Sequence, residues 1–158
     1  MPTNPKKNSK FVEQFLKEHL RFHKKILGKP SQKSRYPIAS NISKVGTYPG
    51  YTNAGAGFFY DAVLEYRVWI HPEMGGKNYY QKDDYFVAFS HFEDAVKFSK
   101  STKGAEPPMV LVLQKEWIAE PEPGHYVHKK HKRMTEWKPK WLKNFQRSKN
   151  SIKEFLQK

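Results

Sequence analysis

Apolar residues recur at three- and four-residue spacing near both ends of the chain, which is the pattern of an amphipathic helix. The first such segment follows Ser9, a residue favoured at helix N-caps, and stops before Gly28 and Pro30. Its apolar positions are Phe11, Val12, Phe15, Leu16, Leu20, Ile26 and Leu27. The second segment begins at Pro139, which suits a first helical turn. Its apolar positions are Trp141, Leu142, Phe145, Ile152, Phe155 and Leu156. The pattern predicts one helix at each end of the chain.

Between these two segments, short aromatic and branched runs are separated by stretches rich in glycine and proline, which is typical of strands joined by turns. Strands are predicted at 58–60, 63–70, 85–89 and 109–113, and around Tyr126 and Met134. Because residues 109–113 are apolar throughout, we expect them to form a central strand. The strands around Tyr126 and Met134 are expected to pair as a hairpin across 129–132.

One helix is predicted inside this strand-rich region. Ser90 and Glu93 have the spacing of a capping box, in which the hydroxyl and the carboxylate each accept a hydrogen bond from a free amide of the first turn. A buried stripe follows at Phe92, Ala95, Val96 and Ser99. Gly104 and the prolines after it close the helix.

These elements predict an α+β fold: a single domain with a largely antiparallel sheet, one internal helix and two amphipathic terminal helices. At 158 residues the chain is long enough for one domain with a hydrophobic core. The expected organisation is a basic helical extension at 1–35, a core domain at 36–138 and a basic C-terminal helix at 139–158.

The charge of the chain is concentrated at its ends. Residues 1–35 have ten basic and two acidic side chains and sum to +8, and residues 129–158 have eleven and two and sum to +9. Residues 36–128 have eight basic and eleven acidic side chains and sum to −3, which gives the overall +14. Clustered positive charge attracts polyanions, so the ends predict a polyanionic partner.

The densest basic cluster is 129–133, and two tryptophans follow it closely. The predicted nucleic-acid contacts are Lys129, Lys130, Lys132, Arg133, Trp137 and Trp141. Lysines and arginine neutralise phosphates, and exposed indoles stack on unpaired bases. RNA, bound without strong sequence preference, is the expected partner. An anionic membrane surface and an ordinary solvated lysine-rich surface are the alternatives.

The chain has no cysteine, which excludes disulfides, thiolate metal sites and a cysteine nucleophile. No apolar run approaches the length that spans a bilayer, and the N-terminal segment lacks the apolar core of a secretory signal. These features favour a soluble, cytoplasmic protein.

The segment 46–57 contains four glycines and Pro49, which precludes regular structure. Glycine-rich loops bind phosphate best where they lead into a helix, whereas this one leads into aromatic residues of strand character. We therefore expect a surface turn that needs positive φ, with phosphate binding as the alternative.

Three histidines, His125, His128 and His131, recur at intervals of three. On a strand the first two point to opposite faces, and no carboxylate lies at a helpful spacing. Solvated histidines are expected, and the sequence predicts no metal site.

Arg67 lies within an apolar strand, where a cation needs a partner because burying it unpaired is costly. By alternation Glu65, Arg67 and Trp69 share one face of that strand. The structural interpretation is an ion pair of Arg67 with Glu65 or Asp61. The functional interpretation places Arg67 in a cleft, where it holds an anionic ligand. Glu136 is open to the same two readings, as an ion-pair partner or a catalytic carboxylate.

Arg67 on an early strand, Ser90 at a strand-to-helix turn and Glu136 on a late strand resemble, in order and spacing, the Arg-Ser-Glu arrangement of ADP-ribosyltransferase-like folds. The resemblance implies that Arg67 binds NAD phosphate, Ser90 supports the nicotinamide end and Glu136 stabilises the ribosyl cation. Tyr60, Tyr66 and Trp69 are the expected aromatic partners of the nicotinamide.

A second resemblance covers residues 36–142. Its segments are 46–61, 65–69, 92–95, 120–124 and 135–137. They are similar to a family of small bacterial proteins that often carry the label of general-control-type N-acetyltransferase, which implies acetyl-coenzyme A as cofactor. Three hypotheses therefore stay open: a group-transfer core that binds a nucleotide ligand, a non-catalytic RNA- or ribosome-associated protein, and an N-acetyltransferase.

Overall fold

The computed structural model describes residues 34–53 and 55–158, so the predicted N-terminal helix lies outside the described residues. The strands are β1 (Ala62–Ile70), β2 (Tyr85–Phe89), β3 (Met109–Gln114), β4 (Trp117–Glu122), β5 (His125–Lys129) and β6 (Arg133–Trp137). The α-helices are α1 (Phe92–Ser101) and α2 (Ser151–Leu156), and 3₁₀ turns occupy Ile42–Lys44, Pro72–Met74 and Pro139–Lys143. The predicted α+β class is confirmed.

Four antiparallel strands form the main sheet in the order β2-β1-β3-β6, and β4 and β5 form a separate two-stranded sheet. The two middle strands are β1 and β3, and the prediction of a central strand at 109–113 agrees with this order. A register shift between Val63 and Glu65 marks a bulge early in β1.

The main sheet has two unlike faces, because side chains alternate along each strand. One face carries the core, which includes Tyr66, Val68, Val87, Phe89, Val110, Val112 and Trp137. Helix α1 packs on this face through Ala95 and Phe98. On the opposite face, β1 carries Glu65, Arg67 and Trp69. Burial of charged side chains on this face is unusual, and the candidate site described below is built around them.

The internal helix is present, but the predicted capping box is wrong. The helix begins at Phe92 with His91 as its N-cap and no side-chain capping bond. The Ser90 hydroxyl instead lies 2.9 Å from Nδ1 of His91, and the Glu93 carboxylate accepts a 2.6 Å hydrogen bond from the Arg35 amide. An adjacent side chain at Ser90 and a distant amide at Glu93 have replaced the capping bonds.

The prediction of one continuous C-terminal helix is also wrong. Residues 145–147 pair with the backbone of Tyr60, whose amide donates to the Phe145 carbonyl at 2.9 Å and whose carbonyl accepts from the Arg147 amide at 2.7 Å. This pairing interrupts the helix and leaves a 3₁₀ turn before it and α2 after it. Apolar residues of the predicted helix still pack into the protein, since Leu142 and Ile152 are buried.

Two strand predictions need correction as well. The expected hairpin between β5 and β6 does not form: β5 pairs with β4, and β6 pairs with β3. Segment 130–132 therefore connects two sheets. The expected strand at 58–60 is irregular, because Phe58 has a φ of 69° and Tyr60 makes only an isolated bridge. Among the described residues, no helix is long and apolar enough to cross a membrane.

His71, the residue just after β1, lies between acidic side chains from two other segments. Its Nδ1 lies 2.8 Å from an Asp84 oxygen, and its Nε2 lies 2.9 Å from a Glu106 oxygen. A neutral ring has one proton, so it leaves one carboxylate facing a lone pair, whereas the protonated ring donates to both. Burial lowers the pKa of His71, but the two hydrogen bonds and charges outweigh it, and the net pKa is raised above its ordinary value.

We predict that His71 stabilises the fold below its ordinary pKa and that this contribution is lost as the pH rises through the raised, folded-state pKa. The free energy of unfolding of wild type minus His71→Gln should be about 1 kcal/mol larger in mildly acidic than in alkaline buffer. Urea unfolding at both pH values measures it. His125→Gln, which alters an exposed histidine, is the control. A pH-independent difference would contradict the prediction.

Candidate functional site

Arg67 is the centre of a buried polar cluster on the second face of the main sheet. Its Nε donates to Glu65 at 2.7 Å, its Nη1 to Glu136 at 3.1 Å and its Nη2 to the Pro49 carbonyl at 2.7 Å. The Phe86 ring lies beneath it, with 4.2 Å between the guanidinium carbon and the ring centroid. Every nitrogen of the guanidinium therefore has a partner within the protein.

The strand register explains how the two acids reach Arg67. Glu65 on β1 and Glu136 on β6 both pair with Leu111 of β3, so they lie on either side of this central strand and on the same face. Trp69, two residues beyond Arg67, donates its indole N–H to both Glu136 oxygens at 3.1 and 3.2 Å. The cluster thus joins three strands.

Burial sets the electrostatics of the cluster. The side chains of Arg67 and Glu65 are fully buried, and that of Glu136 is 19% exposed. Burial raises the pKa of Glu65, although the Arg67 charge and the Gly46 amide oppose the shift. That amide donates to Glu65 at 2.9 Å. The two members of the buried pair therefore each bind the loop that begins at Gly46.

The glycine-rich segment presents carbonyl oxygens to the cluster. Pro49 and Gly50 both point a carbonyl at Arg67, which is the opposite polarity to a phosphate-binding loop. The expected positive φ is present at Gly46, Gly55 and Gly57. This part of the loop therefore serves as a lid over a cation.

The three predicted catalytic residues have different partners. Arg67 and Glu136 are in contact, whereas the buried Ser90 places its hydroxyl against the His91 ring and its carbonyl against the Ala39 amide. An NAD phosphate at Arg67 would first have to displace the Pro49 carbonyl. The structural interpretation, an Arg67–Glu65 ion pair, is observed directly.

Two of the three aromatic residues predicted to hold nicotinamide belong to the core. Tyr60 and Tyr66 are 2% and 0% exposed. Their hydroxyls donate to the carbonyls of Leu142 and Pro37, and burial raises the pKa of both phenols. Tyr66 and Trp69 lie on opposite faces of β1, so they cannot sandwich one ring. The sandwich prediction is wrong.

The predicted nucleic-acid residues are divided between surface and core. Lys130 and Lys132 are exposed and Lys129 is half-buried. Trp137 is 1% exposed and packs edge-on against Tyr60, so the prediction that it stacks on bases is wrong. Trp141 is half-buried beside it, with 6.0 Å between ring centroids.

Arg133 is separated from the lysines by its packing. Its guanidinium carbon lies 3.6 Å from the centroid of the Trp117 ring, and its Nε donates to Gln114 at 2.7 Å. Sequence reasoning missed both partners, since Trp117 and Gln114 show no spacing relative to Arg133 that predicts contact. It also missed Pro49 and Gly50, whose contributions are backbone atoms.

The three histidines have separate environments. Nε2 of His128 lies 3.5 Å from a Glu116 oxygen, His131 packs edge-on against Trp117, and His125 is exposed. Within residues 34–53 and 55–158, no group of three or more His, Asp or Glu side chains is arranged to hold a metal ion.

Comparison of the chain with protein-family models, curated proteins and solved structures finds no match to any of them. The candidate site is therefore interpreted from its geometry alone.

We predict that Arg67→Met lowers the free energy of unfolding by about 3–5 kcal/mol, because it leaves Glu65 buried without its cation. Adding Glu65→Gln should recover part of the loss. Urea unfolding measures all variants. The control is Arg147→Met, which removes an arginine paired with the partly solvated Asp61 and Glu116. This control should lose about 1 kcal/mol. Equal losses of unfolding free energy in the two arginine variants would show that burial does not make the Arg67 pair more important for stability than the Arg147 pairs.

Proposed function

We propose that this protein is a non-catalytic binding module in which segment 129–132 contacts the phosphate backbone of single-stranded RNA. One observation carries the proposal. Lys130 and Lys132 are exposed on the connection between the two sheets, and within the described residues neither forms an ion pair with a carboxylate. Exposed, unneutralised lysines are the groups that bind a polyanion.

The distribution of neutralised cations supports the same function. Arg67 is paired with Glu65 and Glu136, and Arg147 is paired with Asp61 and Glu116. The acidic residues of the core therefore offset arginines inside it. More exposed lysines follow segment 129–132 along the chain: Lys138, Lys140, Lys143, Lys149, Lys153 and Lys158.

The placement and length of the two helices favour contact with the RNA backbone over recognition of base edges. Reading of base edges in the DNA major groove needs a helix or a two-stranded ribbon that presents side chains into the groove. Helix α1 packs against the core face of the sheet, and α2 has six residues. Contact through flexible lysines requires neither, and it predicts binding without strong sequence preference. The ADP-ribosyl-transfer hypothesis needs Arg67 free for a ligand, and its occupied guanidinium favours the binding module.

We predict that a fluorescently labelled single-stranded RNA of mixed sequence binds the full chain and that its affinity falls between about 50 mM and 200 mM salt. Replacing Lys129, Lys130 and Lys132 together with Gln should lower the affinity. It should also reduce the slope of log affinity against log salt by about 2, the value for three lost phosphate contacts on a single strand. Fluorescence anisotropy measures both quantities.

A matched variant tests whether RNA binding depends on the position of the lysines or only on their number. Lys97, Lys100 and Lys103 are exposed on and just after α1, and changing them to Gln removes the same charge. This control should keep most of the salt slope. The proposal fails if both triple variants bind equally, or if wild type shows no salt-dependent binding. Tighter binding to duplex DNA or to anionic vesicles than to RNA would overturn the assignment of the partner.

A further inference from the structure

A cavity of about 360 Å³ lies between the end of the glycine-rich segment and strand β4. Its walls include Gly57, Phe58, Trp117, Ile118, Pro121 and Arg133. This volume is within the range of small-molecule sites.

Arg133 supplies the cavity with a cation that is held in place but not neutralised. Its Nε is bonded to Gln114, and its plane is stacked on Trp117. Within residues 34–53 and 55–158, its Nη1 and Nη2 donate to no acceptor, and no carboxylate lies within ion-pair distance. The pKa of Arg133 is lowered by burial. A desolvated guanidinium with its terminal fork free is suited to a bidentate oxyanion.

Gln114 fixes the geometry of the cavity. Its fully buried amide donates to the carbonyls of Ala56 and Phe59, both at 2.7 Å, while its oxygen accepts from Arg133. One side chain thus positions the loop and the cation together. Gly57 is required at this point, because a Cβ there would lie 2.6 Å from Gln114 Nε2 and 2.7 Å from Arg133 Nη2, and its φ is 64°.

The remaining groups of the cavity are mostly apolar. The Trp117 ring borders the cavity and carries the Arg133 guanidinium on its face. Phe58, held edge-on against Tyr126, offers an aromatic wall. The Glu120 carboxylate at the rim accepts from the Gly124 amide at 3.0 Å, which directs it toward the turn between β4 and β5.

We infer that this cavity binds a nucleoside 5′-phosphate. The phosphate oxygens accept hydrogen bonds from the Arg133 fork, and the base lies against Phe58 and Pro121. Stacking on an aromatic wall accepts any base, so the phosphate dominates selectivity. The inference goes beyond the proposed function, because it needs none of the lysines of segment 129–132. The nucleotide has two potential sources, a free mononucleotide and the 5′ end of an RNA strand.

Isothermal titration of the full chain with AMP, adenosine and inorganic phosphate tests the inference. AMP should bind at least about tenfold more tightly than adenosine or phosphate. Only AMP has both a phosphate for Arg133 and a base for Phe58 and Pro121. Arg133→Lys keeps the charge but loses the fork, and should weaken AMP binding about tenfold or more. Trp117→Leu, which removes the ring that holds the Arg133 guanidinium, should weaken it several-fold. Lys97→Gln is the control and should bind as wild type does.

Thermal melts of the variants confirm that each is folded, and Trp117→Leu remains informative if Arg133→Lys is not. Absence of AMP binding, equal binding of adenosine, or unchanged AMP affinity in both cavity variants would overturn the inference. RNA with a 5′-phosphate and RNA with a 5′-hydroxyl then identify the source. A preference for the phosphorylated strand that persists after the three-lysine substitution indicates an RNA end, and equal binding of the two strands with intact AMP binding indicates a free nucleotide. The lysine substitution leaves AMP binding unchanged, so failure of the proposed function and failure of this inference give different results.

Discussion

Burial of the Arg67 guanidinium imposes a condition that distant parts of the chain must satisfy together. A buried cation needs a carboxylate and an acceptor for each remaining donor, since an unpaired charge in a protein interior is strongly unfavourable. Glu65 is two residues away, Pro49 is 18 residues earlier and Glu136 is 69 residues later. The cluster therefore fixes β1, β6 and the glycine-rich segment relative to one another. The second face of the sheet is organised by charge, in contrast to the apolar face under α1.

Arg67 and Arg133 have opposite relations to the glycine-rich segment. The early part of the segment covers Arg67 with carbonyls and satisfies it completely. The later part, held by Gln114, leaves the fork of Arg133 open beside a cavity. An arginine whose donors all have partners within the protein stabilises the fold, whereas an arginine with free donors is available to a ligand. This difference is the physical reason why the functional proposals rest on Arg133 and the surface lysines, and why Arg67 is assigned to stability.

Parts of this structure could be read from the sequence because short-range periodicity determined them. The apolar stripe of α1, the alternation of β1 and the apolar run 109–113 of β3 predicted the right elements in the right places. The Arg67–Glu65 pair followed from the same alternation, since residues two apart on a strand share a face. The concentration of charge at the chain ends is likewise a property of the sequence, independent of the fold.

Tertiary structure decided what depended on long-range backbone pairing. Tyr60 pairs with 145–147 and thereby divides a segment whose spacing predicted one helix, and β6 pairs with β3 instead of its sequence neighbour β5. Trp137 consequently turns into the core, and Arg133 turns onto Trp117. The acceptors at Arg67 and the positioning by Gln114 involve backbone carbonyls, which every residue possesses and which therefore leave no signal in the sequence. Sequence determined the local elements and the charge, and the pairing of distant strands decided which polar side chains have partners inside the protein and which do not.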